Sequence, residues 1–271
     1  VKVILENQGG EKTQIDTVFL HFSKGDSNYT NIVETPANLV LGQNEQDSVI
    51  FSVGVNASAP LGGVNIDASA IGHSLVSGNT LVINRSNTRG FWTVQQRPQL
   101  IVPLLSINAD TVSTGQDNLI LNFRVWNYGG GVPTATAQID SMNLVINGVE
   151  NDSAQFTFVP QFSTPINLVN NSSLNFNYLL AVRDSASRGS YDFQVTIYYE
   201  DVNDTSTFNL PPDSSASASL VVQQKGDLDV TRIQIIPDSA SLGQNNVAFT
   251  ITAKNTGEGK VQLNSSNLNL H

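Results

Sequence analysis

The acidic segment at 200–205 has the composition of a cation-binding loop. It reads Glu-Asp-Val-Asn-Asp-Thr after a strand-like run, and it offers oxygen atoms from Asp201, Asn203 and Asp204. Calcium takes about six to eight oxygen ligands, which loops rich in Asp and Asn can supply. The segment lacks the spacing of an EF-hand, and the aligned position in the first third of the chain carries His73. We therefore predict a solvated turn that binds metal weakly or not at all, with a calcium site as the alternative.

Other residue types capable of chemistry are scarce or badly spaced. The histidines are His21, His73 and His271, and no two of them have the spacing of metal ligands. No Gly-x-Ser-x-Gly nucleophile motif is present, and Gly129-Gly130-Gly131 predicts a turn between strands. The chain has 0 cysteines, which removes disulfides, thiolate nucleophiles and Cys-ligated metals. We therefore expect no enzyme and no cofactor.

Two outward-facing aromatic residues are candidates for an interface. Trp126 and Tyr198 each have the parity opposite to the apolar residues of their strands, so both are predicted to face solvent. An outward Trp can anchor a protein interface or stack on a sugar ring, and the interface is the stronger expectation. Trp92 instead keeps the parity of Val94 and is predicted to lie in the core.

Asparagine-linked glycosylation is a further candidate modification. A composition rich in Asn, Ser and Thr produces several Asn-x-Ser/Thr sequons by chance, so the motif alone does not establish it. Such sites are modified only where the source glycosylates secreted proteins. The sequence has eight sequons, at Asn28, Asn56, Asn84, Asn151, Asn170, Asn171, Asn203 and Asn264.

Charge and hydropathy exclude several classes of protein. The formal net charge of the 271 residues is −10, which argues against nucleic acid or an anionic membrane as a partner. Only 13% of residues are charged and 39% are hydrophobic, a composition that folds. No apolar run approaches the length of a membrane span. The chain opens without Met in the strand-like Val1–Leu5, so we expect a processed chain or a window on a longer one.

The dominant hydrophobic period is two, which predicts an all-β protein. Apolar residues alternate with polar ones in runs separated by turn signals such as Asn147-Gly148. We predict one core in the middle of the chain from these runs, comprising Leu119, Leu121, Phe123, Val125, Phe176, Tyr178, Leu180, Tyr191, Phe193, Val195 and Ile197.

The sequence also repeats itself. Residues 94–131 and 222–259 align without a gap at an offset of 128, with 14 identities in 38 positions. The first third aligns with the middle at an offset of 127, where apolar positions superpose on apolar ones. We predict tandem immunoglobulin-like antiparallel β-sandwich domains. Their ranges are 1–97, lacking its first strands; 98–225, complete; and 226–271, the first third of another.

The first strand of each repeat carries a change of parity. Apolar residues run Leu100 and Val102, then slip by one to Leu105 and Ile107, and the slip recurs in 228–235. A one-residue slip turns side chains to the opposite face, so we predict a strand that bulges or crosses between sheets.

These motifs resemble a known family of prokaryotic surface domains. Asp227-Leu228-x-Val230, Ile233, Pro237, Gly243-Gln244 and Asn255-x-Gly257 are similar to the CARDB (cell-adhesion-related) Ig-like domains. The run 181–191, an apolar strand followed by small residues and Gly-x-Tyr, is similar to related surface sandwiches. The resemblance covers each repeat, and it implies extracellular tandem modules with no shared catalytic residues.

The leading functional expectation is an extracellular structural or adhesive repeat protein, part of a filament, stalk or surface array. The alternative is a ligand-binding module or spacer of a secreted polysaccharide-active enzyme. Expected partners are copies of itself or surface proteins, with a glycan as a further option. The missing first strands leave an unpaired edge at Val1–Leu5. Either the chain continues in both directions, which is favoured, or Leu228–Ile235 and Val247–Ala253 of a neighbour add there as donor strands.

Overall fold

The computed structural model describes residues 1–33, 39–85 and 89–264, and this part of the chain is built almost wholly of β-strands. The all-β prediction is confirmed. The chain divides into two compact units: unit 1 consists of Val1–Arg97 with Gly130–Thr134, and unit 2 of Pro98–Gly129 with Ala135–His271. Within the described residues, no helix is long and apolar enough to cross a membrane.

Unit 1 is a sandwich of two antiparallel sheets. Its strands are β1 (Lys2–Glu6), β2 (Thr13–Phe22), β3 (Tyr29–Val33), β4 (Leu39–Leu41), β5 (Gln46–Val55), β6 (Gly62–Ser74), β7 (Thr80–Ile83) and β8 (Gly90–Val94). One sheet has the order β1-β5-β3, and the other has the order β4-β2-β6-β7 with β8 also on β6. Alternating residues of both sheets form one core. Trp92 packs half-buried against that core and stacks on Phe22 at a centroid distance of 5.9 Å.

Unit 2 contains a larger sandwich and a separate hairpin. The sandwich strands are β9 (Leu100–Ile107), β10 (Thr111–Ser113), β11 (Leu119–Asn127), β12 (Ala137–Ile146), β13 (Val149–Glu150), β14 (Phe156–Pro160), β15 (Ile166–Leu168), β16 (Ser173–Val182), β17 (Gly189–Asp201), β18 (Thr207–Leu210) and β19 (Ala218–Gln223). The sheets are β14-β16-β11-β9 and β10-β19-β17-β12-β13, the latter with β15 on β12 and β18 on β17. The hairpin pairs β20 (Leu228–Ile236) with β21 (Ala248–Asn255).

The predicted core of the middle of the chain is confirmed. All eleven residues named above belong to one buried cluster, and Phe193 is fully buried, so the inward parity is correct. The hairpin predicted at Asn147-Gly148 is also present. Both residues have positive φ, 49° and 82°, which matches the twist of the strands that they join.

The change of parity in the first strand is a β-bulge, as predicted. β9 buries Leu100 and Val102, exposes Pro103 and Leu104, and buries Leu105 again. The register against β11 shifts at the same point. The chain then crosses to the other sheet, where β10 pairs in parallel with β19.

Strand pairings in the two units correspond residue by residue. Leu5 pairs with Asp47 in unit 1, and Val125 pairs with Leu174 in unit 2. The offset in residue number is 120 from Leu5 to Val125 and 127 from Asp47 to Leu174. The β6–β7 and β17–β18 pairings likewise share an offset of 127 on both strands. β1 therefore occupies the place of β11, and β6 occupies the place of β17.

The hairpin of β20 and β21 repeats the pairing of β9 and β11. Ile233 pairs with Ile251 as Leu105 pairs with Phe123, an offset of 128 on both strands. The register shift also recurs, with Thr231 at the position of Pro103. The hairpin thus has the geometry of the first two long strands of the unit 2 sandwich.

Candidate functional site

The most distinctive surface of unit 1 is the outer edge of β1. β1 pairs with β5 on one side, and no described strand pairs with its other side. The backbone groups of Val1 and Asn7 bond to β5, since Val1 exchanges hydrogen bonds with Phe51 and Asn7 N–H donates to the Glu45 carbonyl. By the alternation of an antiparallel ladder, residues 2, 4 and 6 direct their N–H and C=O groups to the open side.

A groove with a volume of about 710 Å³ runs along this edge. β1 forms one wall, and β6 with Gly90 forms the other. Two small residues, Ala68 and Ala70, line the β6 wall, whereas unit 2 has Val195 and Ile197 at the corresponding positions. Small residues on that wall leave room for large side chains from another strand.

In unit 2, a strand fills the position that no described strand occupies in unit 1. β9 pairs with the side of β11 that corresponds to the open side of β1. The side chains of Leu100, Val102 and Leu105 enter the core from β9 and are 3%, 3% and 6% exposed. The groove therefore has the chemistry of a strand-accepting site, with unpaired backbone groups on one side and apolar walls beside it.

The rim of the groove is charged. Lys2 and Glu6 line it from β1, and Asp67 and Arg89 line it from the opposite wall. Arg85 Nε lies 3.8 Å from the Asp67 carboxylate. Because the rim carries charges of both signs, it can discriminate among partner strands by the charges that those strands carry.

A buried asparagine stabilises the bend of the chain that follows β11. The sequence pattern included this residue but did not predict its role. Asn127 is fully buried, and its Nδ2 donates to the carbonyls of Ala135 and Leu168 at 2.9 Å and 3.0 Å. Asn7 makes the corresponding bonds in unit 1, to Glu11 and Leu41. The Asn-x-Gly signature thus marks a corner that the asparagine side chain holds.

The acidic loop at 200–205 is a tight turn between β17 and β18. The buried Asp201 carboxylate accepts the Asn203 N–H at 2.9 Å, and the Asp204 carboxylate accepts the Ser206 N–H at 2.9 Å. Across the described residues, no three His, Cys, Asp or Glu side chains are clustered in a way that could hold a metal ion. Two carboxylates are engaged by turn amides, and calcium binding at Asp201, Asn203 and Asp204 stays an untested prediction.

The structure brings together one set of residues that sequence reasoning did not connect. His21 Nε2 lies 2.8 Å from Ser69 Oγ, and His21 Nδ1 lies 3.5 Å from the Asp26 carboxylate. The contacts run from Ser to His to Asp, as in a catalytic triad. Ser69, however, lies in the middle of a strand, opposite Phe19. Nucleophilic serines of such triads stand on a sharp turn that exposes the hydroxyl. We interpret the set as a polar cluster on the outer face of the sheet.

The two candidate interface residues lie on different sheets. Trp126 is half-buried on the outer face of β11 and contacts Tyr128 edge to face at a centroid distance of 4.9 Å. Tyr128 was not predicted, because it follows the strand. Tyr198 lies on β17, and its hydroxyl donates to Glu150 at 3.1 Å, a bond that raises the pKa of Tyr198. Trp126 and Tyr198 therefore do not form a single aromatic row.

The sequon asparagines are accessible as far as the structure describes them. Asn28 is half-buried, and the other seven are exposed. The sequons of Asn84 and Asn264 extend into residues outside the described part, and His271 also lies there. Glycosylation stays a prediction.

Fold and groove together define a β-sandwich protein in which no strand of the described residues covers the outer edge of β1. No known family matches the chain, and no curated protein matches it. Among solved structures, the YadV chaperone aligns over 81% of this chain and 91% of its own, at 13% identity and a TM-score of 0.21. The C-terminal domain of the Streptococcus agalactiae AgI/II polypeptide BspA aligns over 78% and 84%, at 7% identity and a TM-score of 0.26.

At these scores the alignments carry no argument about function. The resemblance to CARDB domains accordingly rests on the sequence motifs alone.

Proposed function

We propose that the protein is a structural or adhesive repeat protein of a cell surface, part of a filament, stalk or surface array. The observation that carries this proposal is the residue-by-residue correspondence of strand pairings between unit 1, unit 2 and the terminal hairpin. A chain that reuses one sandwich plan extends itself by adding modules, each with its own core. The proposed domains are 1–97, 98–225 and 226–271.

Composition supports an exterior role. The sequence is rich in Asn, Ser and Thr, and this composition with the net charge of −10 fits a hydrated surface polymer. The proposal assigns no catalytic residues and no cofactor, and its partners are copies of the same chain or other surface proteins.

Single-molecule force spectroscopy tests the mechanical part of this proposal. A chain held at both ends should unfold unit 1 and unit 2 in separate events. At roughly 3.5 Å per residue, unfolding of residues 1–97 should release about 340 Å of chain, and unfolding of the sandwich at 98–225 should release about 450 Å. Extension without resolved events would show that the units bear no load and would contradict the structural role. Antibody labelling of intact cells against lysed cells tests the surface location independently.

A second candidate function rests on the aromatic pair of Trp126 and Tyr128. Two aromatic side chains in edge-to-face contact on an outer sheet face can support a sugar ring, which fits a carbohydrate-binding module. Affinity electrophoresis through gels containing soluble polysaccharides tests it. Retardation that disappears in Trp126→Ala and persists in Tyr198→Ala would favour this role.

A further inference from the structure

We propose that the outer face of the β14-β16-β11-β9 sheet in unit 2 binds a polysaccharide that contains uronic acids, with a sugar ring on Trp126 and a carboxylate on Arg124. The inference rests on the second candidate function, the carbohydrate-binding module, and deepens it by naming the class of sugar. Three observations carry it: a charge difference between the two sheets, an oriented guanidinium group, and a row of amides beside an aromatic platform.

The two sheets of unit 2 differ in charge. Strands β9, β11, β14 and β16 contain neither Asp nor Glu, and their one charged residue is Arg124. The strands of the other sheet contain neither Lys nor Arg and hold five carboxylates: Asp140, Glu150, Asp192, Glu200 and Asp201. In a chain with a net charge of −10, the first sheet therefore offers a local surface where an anion meets a cation and no strand carboxylate.

The net charge of the chain limits which anions can use this surface. A nucleic acid or an anionic membrane presents charge over a wide area and would also meet the acidic parts of the protein. Exposed charges are screened beyond about 8 Å at physiological ionic strength, so a narrow ligand on this face interacts mainly with Arg124. A single extended polysaccharide chain is narrow enough to lie along one sheet face.

Arg124 is oriented, and the end of its side chain faces solvent. Its Nε donates to Asn175 Oδ1 on β16 at 3.1 Å. Among the described residues, no carboxylate forms an ion pair with Arg124. The bond to Asn175 fixes the plane of the guanidinium group and leaves its two terminal nitrogens for a ligand. The planar fork of an arginine matches a carboxylate through two parallel hydrogen bonds, so the site favours acidic sugars over neutral ones.

An aromatic platform lies two positions along the same strand. Trp126 and Arg124 share the outer face of β11, and their Cα atoms are about 7 Å apart, because each strand residue advances about 3.4 Å. Tyr128 contacts the Trp126 ring edge to face at a centroid distance of 4.9 Å, which restricts the orientation of that ring. A pyranose ring can pack its apolar face on the indole. The carboxylate of a hexuronate projects from the ring edge, where the long Arg124 side chain can reach it.

Side chains suited to sugar hydroxyls continue along the sheet beyond Arg124. Asn122 lies opposite Asn177 in the register of β11 and β16, and both are exposed. Ser106 lies opposite Asn122 on the β9 side. Amides both donate and accept hydrogen bonds, as hydroxyl groups do. The face therefore offers a stacking surface, a carboxylate site and hydroxyl partners in succession along β11.

Unit 1 does not repeat this arrangement. At the offset of 120 that relates β1 to β11, Ile4 stands at the position of Arg124, and Glu6 stands at that of Trp126. The proposed site therefore belongs to unit 2 alone.

Biolayer interferometry of the full chain on immobilised polysaccharides tests the proposal. The probes are polygalacturonate, alginate and hyaluronate, each paired with its methyl ester, which keeps the sugar ring and removes the charge. At least one acid polymer should bind, and its methyl ester should have an apparent dissociation constant at least tenfold higher.

Charge-matched variants locate the contact. Arg124→Gln should weaken binding of the acid polymer at least tenfold and leave binding of its ester unchanged. Arg124→Lys keeps the charge and loses the fork, so its affinity should lie between. Arg183→Gln is the matched control, because it removes the same charge just after Val182, at the end of β16 roughly 30 Å from Ser173, the residue opposite Trp126. It should bind as the parent chain does.

Aromatic variants separate stacking from charge. Trp126→Ala should weaken binding of the acid and ester forms by the same factor, because stacking uses the ring and not the carboxylate. Tyr198→Ala changes an exposed aromatic residue on the other sheet and should leave both affinities unchanged. Thermal unfolding of each variant verifies that the sandwich is intact.

Three results would overturn the proposal. Equal affinity for acid and ester forms, or acid binding that survives Arg124→Gln, would remove the uronic-acid site and leave the carbohydrate-binding role standing. Absence of binding to every polymer would overturn both. Self-association that Arg124→Gln abolishes, without polymer binding, would assign the face to the acidic sheet of a second copy. None of these results alters the unfolding events under force, so they are distinguishable from failure of the leading structural role.

Discussion

Unit 1 and unit 2 share one arrangement of strands, and among the described residues they differ at one edge, which a strand covers only in unit 2. In unit 2, β9 covers the edge of β11 and supplies four core residues together with β10: Leu100, Val102, Leu105 and Val112. In unit 1 the corresponding edge borders a groove of about 710 Å³. The two units therefore share their sheets and their register, and they differ in what borders this edge within the described residues.

The largest expected difference between the units concerns matched core positions. Phe193 in unit 2 is fully buried, and its counterpart Ile66 in unit 1 lines the groove. Phe193→Ala should lower the free energy of unfolding of unit 2 by about 3–5 kcal/mol, and Ile66→Ala should lower that of unit 1 by about 2 kcal/mol. The loss is smaller in unit 1 because Ile66 borders an open groove.

Each unit has its own fluorescent reporter for this measurement. The chain has 2 tryptophans, Trp92 in unit 1 and Trp126 in unit 2. Denaturant unfolding followed in Trp126→Phe and Trp92→Phe backgrounds therefore reports on one unit at a time. Equal losses for Phe193→Ala and Ile66→Ala would mean that the groove does not soften the unit 1 core.

The corner asparagines should differ in the same direction. Asn127→Ala leaves the carbonyls of Ala135 and Leu168 buried without their donor, which should cost about 2–4 kcal/mol. Asn7→Ala should cost about 1 kcal/mol, because its bond to Glu11 is exposed to water. Thermal unfolding of the two variants measures the difference. If Asn7→Ala proved the more damaging change, the corner would contribute more to the stability of unit 1 than to that of unit 2.

A hydrogen bond between the sheets of unit 2 gives a smaller contrast. The Tyr178 hydroxyl donates to the Met142 carbonyl at 2.5 Å, whereas unit 1 has Phe51 at the corresponding position. Burial raises the pKa of Tyr178, so the hydroxyl stays protonated and donating. Tyr178→Phe should cost unit 2 about 1–2 kcal/mol. Unchanged chemical denaturation of this variant would show that the Met142 carbonyl finds another donor.

The smallest expected effect concerns acid and the hairpin. Glu258 accepts the Gln224 N–H at 2.7 Å and Arg188 Nη1 at 3.0 Å, and these bonds, the first above all, lower the pKa of Glu258. A carboxyl group whose pKa is lower in the folded state than in the unfolded state stabilises the fold at a pH above its unfolded-state pKa. This stabilisation is lost as the pH falls through the lowered, folded-state pKa. The protection factors of the β20 and β21 amides, which compare the observed exchange rate with the intrinsic rate at the same pH, should therefore fall below about pH 4.

Glu258→Gln is the matched control for this effect. The variant should have lower protection factors at neutral pH, and these should not fall further in acid, because it has no carboxylate to protonate. Protection factors that still fall in acid in Glu258→Gln would assign the effect to another carboxyl group.

Sequence reasoning succeeded where a feature depends on neighbours along the chain. Inward parity identified the core around Phe193, the slip after Val102 identified the bulge, and Asn147-Gly148 identified a hairpin turn. Each of these follows from a spacing of one or two residues. Parity also placed Trp126 on the outer face.

Sequence reasoning did not predict the features that join segments distant in the chain. The partners of Asn127 lie 8 and 41 residues away, and Ser69 meets His21 across 48 residues. Such contacts depend on which strands lie side by side, and alternation alone does not say so. The unpaired edge was predicted because the internal alignment lacked a strand there. The role of the small residues Ala68 and Ala70 in lining the groove could be recognised only from the structure, which places β6 opposite β1.

The matching registers of β9 and β20 also bear on folding during synthesis. β9 leaves the ribosome before β11, its proper partner, and the two are about a dozen residues apart in the chain. At about 5–20 residues per second, β9 is complete roughly a second before β11 has been made, whereas β1, which has the same pairing geometry as β11, has already been synthesised. Sequence divergence between β1 and β11, such as Glu6 in place of Trp126, would then guard each growing chain against pairing its own modules in the wrong order.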